Sequence, residues 1–424
     1  MWVRKRLDIG WIDLIVAMIH CGLPDGGPAL RRCVEELWSR KGDALACLSV
    51  RSGFDLLLDV LAFPPKSEVL VSALTIPDMV RIVEDRGLVP VPVDLAVETA
   101  GPKLESLRRA ITPASKAILV AHLFGGRLEL EPIAAIAREH GLTVIEDCAQ
   151  AFDGGRYLGH PEADVSMFSF GPIKTATALG GAVLRVRDAD LLRRMRQHQA
   201  SWPIQARSKY LSRILKYSLL KALSSRLLFD LLVRTWRVMG RDHDRLVNGS
   251  VRGFAGSGFF ERIRQRPPGP LLALLRRRLA GYVVRRLARR TANGQLLVSL
   301  LDGAVVCPGR EMSPHSHWVF PILAQDPQRV IAALRKAGFD ATQGESMCVV
   351  PPPPDRPEVI PSTAVDLLAK IVYLPNYPEI PERAVRKMAK VVLRVMEKPA
   401  TLDRGSPGSR DRGEGLADAV VAQG

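Results

Sequence analysis

The sequence LTVIED at residues 142–147, followed by FSFGPIK at residues 168–174, decides the fold of this 424-residue chain. The first segment is a short apolar run that ends in two acidic residues, which is typical of a buried strand with a carboxylate at its C-terminal end. The second segment places Ser169 five residues before Lys174. A strand-end Asp147, a serine and a lysine are groups that a pyridoxal phosphate enzyme requires. The amine forms the Schiff base, and the carboxylate keeps the pyridine nitrogen protonated.

Strand and helix patterns alternate from residue 44 to residue 183. This alternation predicts parallel strands that are buried on both faces. Ligands on such sheets collect at the carboxyl ends of the strands. Because Gly53, Thr75, His122 and Asp147 all lie at predicted strand ends, we expect the functional site at that edge of the sheet.

Three motifs in this part of the chain, EDCAQA at 146–151, FSF at 168–170 and Lys174, resemble the DegT/DnrJ/EryC1/StrS family of sugar aminotransferases. The combination of Asp-x-x-Gln with Ser-x4-Lys is specific, because four side-chain types must match at two fixed spacings. Family motifs can be followed from about residue 26 to residue 395, except between roughly 197 and 295. The resemblance implies an α/β protein of the aspartate-aminotransferase-like fold type I. Such a protein has a mostly parallel central sheet in a large domain and a small C-terminal α/β domain.

The resemblance also assigns roles to individual residues. It implies that Lys174 is catalytic and that Asp147 pairs with the pyridine nitrogen. Gln150 is expected to reach the ring hydroxyl, and Ser169 to bind the phosphate. Lys174, once free of the cofactor, is placed to carry a proton between the substrate carbon and the cofactor. Because the dehydratase branch of the family replaces this lysine by histidine, the lysine favours amino transfer over deoxygenation.

A second cofactor-binding segment is predicted where an apolar run at 44–49 gives way to a helical pattern at 55–61. A strand, a small-residue turn and a helix start form an anion site from backbone N–H groups and the helix dipole. By resemblance, the Gly-Thr phosphate turn of the family falls on Gly53 and Phe54. Phe54 has no hydroxyl, so one phosphate hydrogen bond is missing or comes from Ser52.

The chain departs from the family pattern at further positions. Ile76 stands where the family places an aromatic residue over the pyridine ring, and an apolar lid is the alternative to that stack. The family's Gly-x-Asn-x-Arg segment, whose asparagine reaches the phosphate of the neighbouring subunit, has no asparagine in register here. Arg252 or Arg266 is a candidate replacement. The resemblance implies a homodimer.

Two histidines are candidate substrate contacts. His122 follows the strand pattern at 116–121, and His317 lies in SPHSHW at 313–318, which resembles the family's approach to the small domain. The alternative for each is a structural, hydrogen-bonded histidine. His315 and His317 alternate as on one face of a strand, but two histidines without a third ligand do not form a metal site. No metal is therefore predicted.

The six cysteines are scattered and include no C-x-x-C pair. This spacing argues against a zinc site or a disulfide framework and suits a reducing cytosol. Asp8 and Asp13 interrupt the N-terminal apolar run, which argues against a signal peptide. No apolar run reaches the ~20 residues that a membrane span needs. We therefore expect a cytoplasmic protein.

The net charge of +16 is concentrated in one region. Residues 201–300 contain 21 Lys and Arg against 4 Asp and Glu. The pattern at 208–239 is helical, leucine-rich and studded with cations, which suits a helix lying on acidic lipid. Peripheral contact of residues 205–240 with the inner face of a membrane is one interpretation; packing against the body or a partner subunit is the other. No helix-turn-helix or finger spacing supports nucleic-acid binding.

These patterns divide the chain into five parts. They are an N-terminal helical segment (1–43), a large cofactor-binding domain (44–200), a basic helical insert or dimer-contact region (201–295), a small C-terminal domain (296–398) and a tail (399–424). The tail is rich in Gly, Ser, Asp and Arg and is predicted to be disordered.

The predicted function is transfer of an amino group, from glutamate, to a nucleotide-linked keto-sugar in glycan or lipopolysaccharide biosynthesis. One alternative is a pyridoxal phosphate enzyme that acts on a lipid-linked or other carbonyl at the membrane surface. A second alternative is a cofactor-binding or membrane-surface protein without turnover, which the departures at Phe54 and Ile76 motivate. The sequence does not identify the carbonyl substrate.

Overall fold

The computed structural model describes most of the chain, namely residues 1–4, 6–24, 26–223, 258–344 and 346–397. The predicted disordered tail at 399–424, the candidate Arg252 and the basic helical pattern beyond residue 223 lie outside the described residues.

A seven-stranded sheet forms the centre of the large domain. Its strands follow the order β1-β8-β7-β6-β5-β2-β4. Five adjacent strands, β7, β6, β5, β2 and β4, run parallel to one another. Strand β8 runs antiparallel to its two neighbours, β1 and β7. The prediction of a mostly parallel sheet is confirmed. The strand bounds, with β3 outside this sheet, are β1 Ala44–Cys47, β2 Glu68–Ser72, β3 Leu74–Thr75, β4 Val89–Val93, β5 Ser115–Ala121, β6 Thr143–Asp147, β7 Val165–Ser169 and β8 Ala182–Val186.

Helices cover both faces of this sheet, so successive strand residues enter different cores. Val69, Val71 and Leu119 belong to one buried cluster, whereas Leu70 and Ile118 belong to another on the opposite face. Because both faces of the sheet are buried, the strands are apolar at nearly every position in the sequence. The helix bounds in this half of the chain are α1 Trp11–Gly22, α2 Gly27–Trp38, α3 Val50–Leu61, α4 Pro77–Asp85, α5 Leu104–Ala110, α6 Glu131–Glu139, α7 Ala189–Ser201 and α8 Arg207–Leu223.

In the part of the basic region that the structure describes, three further helices lead to the small domain: α9 Phe259–Ile263, α10 Gly269–Ala280 and α11 Val284–Leu301. The arginine-rich sequence at 271–287 has the pattern of one helix, but the structure divides it between two helices. Gly281 ends α10, with its N–H bonded to Arg277 O, and α11 starts afresh three residues later. Among the described helices, none combines the length and apolar character that crossing a bilayer requires.

The small domain is built on a two-stranded antiparallel sheet, β9 with β11. A separate core lies between this sheet and the final helix. Strand β10 pairs instead with β3, antiparallel, and so joins the small domain to the edge of the site. The element bounds are β9 Phe320–Leu323, α12 Pro327–Lys336, β10 Cys348–Val349, a 3-10 turn Pro357–Val359, α13 Ser362–Lys370, β11 Ile371–Leu374 and α14 Glu382–Glu397.

The N-terminal segment contacts both halves of the molecule. Trp2 forms a bridge with Phe339 of the small domain, and Arg4 pairs with the buried Asp340 at 2.9 Å. A few residues later, α1 packs on α8 and α10. The segment is therefore part of the folded body and not a loose extension.

Candidate active site

Lys174 lies five residues beyond the end of β7, in the loop that leads to β8. Its side chain is half-buried, and Nζ lies 4.3 Å from the centre of the Trp318 ring. Loss of solvation lowers the pKa of Lys174 to about 8; the Asp147 carboxylate opposes this shift, and Arg51 adds to it. A lysine with this pKa is partly deprotonated near neutral pH, so it can act as a nucleophile and carry protons.

Asp147 ends β6, the strand that neighbours β7, and its register partner there is Met167. Burial raises the pKa of the Asp147 carboxyl group, while a hydrogen bond from Ala149 N–H (2.9 Å to Oδ1) and the charge of Lys174 act against the rise. The carboxylate and the amine each alter the pKa of the other. The two side chains therefore lie close enough at the carboxyl end of the sheet for their charges to interact.

Ser169 and Gln150 occupy the same edge of the sheet. Ser169 is the last residue of β7, and its hydroxyl oxygen accepts a weak hydrogen bond from Gly171 N–H at 3.4 Å. The Gln150 side-chain oxygen accepts from Phe124 N–H at 2.9 Å. This bond orients the amide so that its NH2 group is the end left to donate to a ligand.

The predicted phosphate turn lies inside a helix. Helix α3 begins at Val50, because Ser49 caps it: the Ser49 hydroxyl oxygen accepts from Ser52 N–H at 3.1 Å. The same hydroxyl also bonds to that of Ser52 at 2.9 Å. The N–H group of Gly53 bonds to Ser49 O at 3.0 Å. The anion-binding end of the helix is therefore two to four residues earlier than predicted.

Phe54 and Gly53 have packing roles in this structure. Phe54 is fully buried in the core, and a Cβ on Gly53 would lie 2.6 Å from Leu184 Cδ1. The N–H groups of Ser52 and Gly53 are already bonded to Ser49. Helical geometry provides no internal acceptor for the N–H group of Val50 at the start of the helix.

Arg51 is a residue of the site that the sequence reasoning missed. It lies in the first turn of α3, and its guanidinium forms a short ion pair with Asp78 of α4. Its charge contributes to the pKa shifts of both Lys174 and Asp147. The signal in the sequence is a cation in the turn directly after β1.

Trp318 is a second residue that the sequence reasoning missed. Its ring lies against the Lys174 amine, and its Nε1–H donates to Ile173 O at 3.3 Å. It thereby fixes the residue before the lysine. The signal in the sequence is the aromatic residue that ends the motif SPHSHW.

His122 is a structural residue. It is 1% exposed, its Nδ1 accepts from Leu128 N–H at 3.1 Å, and its Nε2 lies 2.6 Å from Glu146 Oε1. With Nδ1 accepting, the ring proton lies on Nε2 and points at Glu146. Both ring nitrogens are occupied, so the prediction that His122 contacts a substrate is wrong and its alternative holds.

Glu146, His122 and Cys148 lie close enough together to hold a metal ion. The Glu146 oxygens, however, already accept hydrogen bonds from His122, Tyr157, Ser166 and the backbone of His160. These hydrogen bonds stabilise the buried Glu146 carboxylate without a metal ion.

His317 lines a cleft of about 1020 Å³ between the large domain, α11 and the loop before β9. The segment is not a strand, since His317 has a φ of +44°, yet the His315 and His317 rings stack with centres 3.9 Å apart. Burial lowers the pKa of His317 to about 4, and Arg290 adds to the shift. His317 is therefore neutral at pH 7 and meets the cleft as an uncharged ring. Three arginines also line this cleft: Arg127, Arg156 and Arg310.

Residues 30–219 match the DegT/DnrJ/EryC1/StrS aminotransferase family. The resemblance inferred from the sequence is confirmed over this part of the chain. The UDP-N-acetyl-3-dehydro-alpha-D-glucosamine 3-aminotransferase of Acidithiobacillus ferrooxidans is 35% identical over 37% of this chain and 44% of its own length. The GDP-perosamine synthase of Caulobacter vibrioides is 35% identical over 36% and 42%. The chain thus matches less than half the length of these two relatives.

Solved structures extend the similarity of fold to nearly the whole chain. The aminotransferase TlmJ from Streptoalloteichus hindustanus has a TM-score of 0.67 at 18% identity, over 93% of this chain and 99% of its own. DesV from S. venezuelae, solved in complex with a ketimine intermediate, has a TM-score of 0.66 at 20% identity, over 92% and 95%. The predicted aminotransferase fold, with its large and small domains, is confirmed.

Proposed function

We propose that this chain is a pyridoxal 5'-phosphate-dependent aminotransferase. The observation that carries the proposal is the placement of Asp147 at the end of β6 and of Lys174 in the loop after β7, its parallel neighbour, where the two charges interact. A carboxylate and an amine in this arrangement suit the cofactor's pyridine nitrogen and aldehyde. The match of residues 30–219 to an aminotransferase family supports the same conclusion.

The residues present fit this cofactor. Lys174 would bind its aldehyde carbon, Asp147 its ring nitrogen and Gln150 its ring hydroxyl. Ser169 and the N-terminus of α3 would bind its phosphate, with Arg51 supplying a positive charge beside them. When bound, the cofactor withdraws electrons from the carbon that loses its proton. In that step Lys174, with its pKa of about 8, is the group that takes up and returns the proton.

The proposed acceptor is a nucleotide-linked keto-sugar, with glutamate as the amino donor, in glycan or lipopolysaccharide biosynthesis. Both named relatives carry nucleotide sugars in their names. The cleft of about 1020 Å³ has room for such a substrate, and the guanidinium groups of Arg127, Arg156 and Arg310 suit its diphosphate. The neutral His317 ring would face the sugar.

Borohydride reduction tests the cofactor assignment. Incubation of the protein with pyridoxal phosphate, followed by reduction, should attach the cofactor to the peptide that contains Lys174, and Lys174→Ala should abolish the attachment. A screen of keto-sugar nucleotides with glutamate, read by product mass, then tests transfer. Cofactor attachment without transfer to any ketone would favour the alternative of a binding protein without turnover.

We further propose that the enzyme is cytoplasmic and contacts an acidic membrane surface. Helix α1 is apolar on both faces: Leu14 and Ala17 are buried, yet Ile12 is 67% exposed. Leu219 of the adjoining α8 is 61% exposed, and Lys221 lies over the ring of Trp11. Apolar side chains bordered by cations suit a helix pair at a lipid interface. This observation also favours a lipid-linked carbonyl as the alternative substrate.

Sedimentation with vesicles tests whether the exposed apolar surface of α1 and α8 binds a membrane or a second subunit. The chain should bind vesicles that contain phosphatidylglycerol and not neutral ones, and Ile12→Glu with Leu219→Glu should abolish binding. If vesicles are ignored and the double variant is instead monomeric by light scattering, the face belongs to the homodimer that the resemblance implies.

A further inference from the structure

The peptide that follows Lys174 has an unusual backbone. Ala176 has a φ of +54° and Leu179 a φ of +58°, in the left-handed region that residues with a Cβ rarely adopt. Both side chains are fully buried. A strained conformation persists only where its surroundings impose it, so this loop requires contacts that hold it.

Two of those contacts come from residues far away in the sequence. Asp8 Oδ2 accepts a hydrogen bond from Ala176 N–H at 2.8 Å. Arg290 donates from Nη1 to Thr175 Oγ1 at 3.0 Å, and from Nε to Ser316 O at 2.9 Å. The two residues directly after Lys174 are thus held by the N-terminal segment and by α11, both of which lie outside the family match at 30–219.

Asp8 is itself held in place by arginines. Arg286 Nε lies 3.1 Å from Asp8 Oδ1, and Arg278 donates to the Asp8 carbonyl oxygen at 2.6 Å. Arg286 also pairs with Glu379 of the small domain at 2.8 Å. A continuous path of charged contacts therefore runs from Glu379 through Arg286 and Asp8 to the backbone of Ala176.

We propose that Asp8 is a positioning residue for Lys174. Its carboxylate does not touch the reacting atoms; it accepts the N–H group of a buried residue two positions after the lysine. Without this acceptor the N–H of Ala176 would be buried and unsatisfied, and the strained turn would relax. The direction of the Lys174 side chain follows from the conformation of this turn.

Asp13 provides a matched control on the same segment. Asp13 is buried and is also held by two arginines, Arg277 and Arg278, each at 2.8 Å. It caps α1 by accepting from Gly10 N–H at 3.0 Å. Within the described part of the chain, its hydrogen bonds and ion pairs are to Gly10, Arg277 and Arg278 and not to the Lys174 loop. Asp13→Ala should loosen the docking of α1 and leave the loop as it is.

Hydrogen exchange in the protein without cofactor tests the proposal independently of any activity. In Asp8→Ala, the peptide covering 171–178 should exchange roughly tenfold or more faster than in the wild type, the factor that a charge-assisted hydrogen bond contributes. Asp13→Ala should leave that peptide unchanged. Asp8→Asn keeps an acceptor oxygen and should recover part of the protection. Unchanged exchange in Asp8→Ala, an equal change in Asp13→Ala, or no recovery in Asp8→Asn would each overturn the proposal.

A second measurement connects the loop to the lysine and rests on the proposed function. The rate at which pyridoxal phosphate becomes borohydride-reducible on Lys174 should fall about tenfold in Asp8→Ala and stay at the wild-type value in Asp13→Ala. If the wild type itself captures no cofactor, the proposed function fails while the exchange result still decides the role of Asp8. If the wild type captures cofactor and both variants match it, the positioning role is refuted.

Discussion

Glu146 and Asp147 are neighbours in β6, yet their carboxyl groups have opposite surroundings. Successive strand residues point to opposite faces of a sheet. Glu146 is fully buried and its hydrogen bonds outweigh the effect of burial, so its pKa falls to about 2. Asp147 has one hydrogen bond from Ala149, burial prevails, and its pKa rises. The difference separates a structural carboxylate from one available for chemistry.

The largest expected difference between the two carboxylates is in activity. Asp147→Asn should lower amino transfer by roughly a thousandfold, a size typical of losing one preorganised electrostatic contact. Glu146→Gln should retain most of the activity of whatever protein folds. Initial rates per folded molecule, with glutamate and an accepted ketone, check this. Equal losses in both variants would remove the functional distinction between the two residues.

The free energy of unfolding should show the opposite order, with a larger loss in Glu146→Gln than in Asp147→Asn. The Glu146 pKa falls from 4.5 to about 2 on folding, which corresponds to a stabilisation of about 3 kcal/mol. Glu146→Gln should lose a comparable free energy of unfolding in urea. Asp147→Asn should cost little or even stabilise, because burial already disfavours its charge. A smaller loss in Glu146→Gln than in Asp147→Asn would contradict the assignment.

The two carboxylates also predict opposite responses to acid. The stabilisation by Glu146 is present above about pH 4.5, the pKa of the unfolded chain, and is lost as the pH falls toward 2. Asp147 acts in the opposite direction. Burial raises its pKa, so protonation as the pH falls favours the folded state. Urea unfolding from pH 5 to pH 2.5 should therefore show a steeper decline in wild type than in Glu146→Gln. Parallel curves would refute this account.

A smaller effect is expected at His122, the hydrogen-bond partner of Glu146. His122→Gln should cost about 1–3 kcal/mol, the range for a disrupted buried hydrogen bond. The KM for the ketone should stay unchanged, since His122 is buried beneath the site. A raised KM in a stable variant would instead restore the substrate role predicted from the sequence.

The smallest effect concerns the pH dependence of Lys174. Cofactor capture by the free amine should rise with pH around a midpoint of about 8. Since the Asp147 charge raises this pKa, Asp147→Asn should move the midpoint lower. Stopped-flow absorbance between pH 6 and pH 10 measures the shift. An unchanged midpoint would mean that the Asp147 charge does not act on the Lys174 amine.

Periodicity and spacing predicted much of this molecule. The parallel strands and the position of the site at one edge of the sheet follow from local patterns, because the strand ends of a parallel sheet converge there, whereas the small domain and the roles of Asp147 and Lys174 are implied by the resemblance to the family. Helix breaks were harder to predict: the arginine-rich pattern at 271–287 continues through Gly281, and only the capping geometry there ends α10. The start of α3 was misplaced for a similar reason, since the capping bond of Ser49 is not a feature of periodicity.

The sequence by itself determined which chemical groups this protein has at its strand ends and the order in which the chain delivers them. Tertiary structure alone decided which of these groups are already used, as in His122, and which distant residues approach the Lys174 segment, as in Arg51, Trp318 and Asp8. The physical reason is that burial and hydrogen bonding depend on contacts between separate segments, which are 24 residues apart for His122 and Glu146 and 168 residues apart for Asp8 and Ala176. Asp8 and Ala176 illustrate this, because no local pattern relates an N-terminal carboxylate to the turn after Lys174.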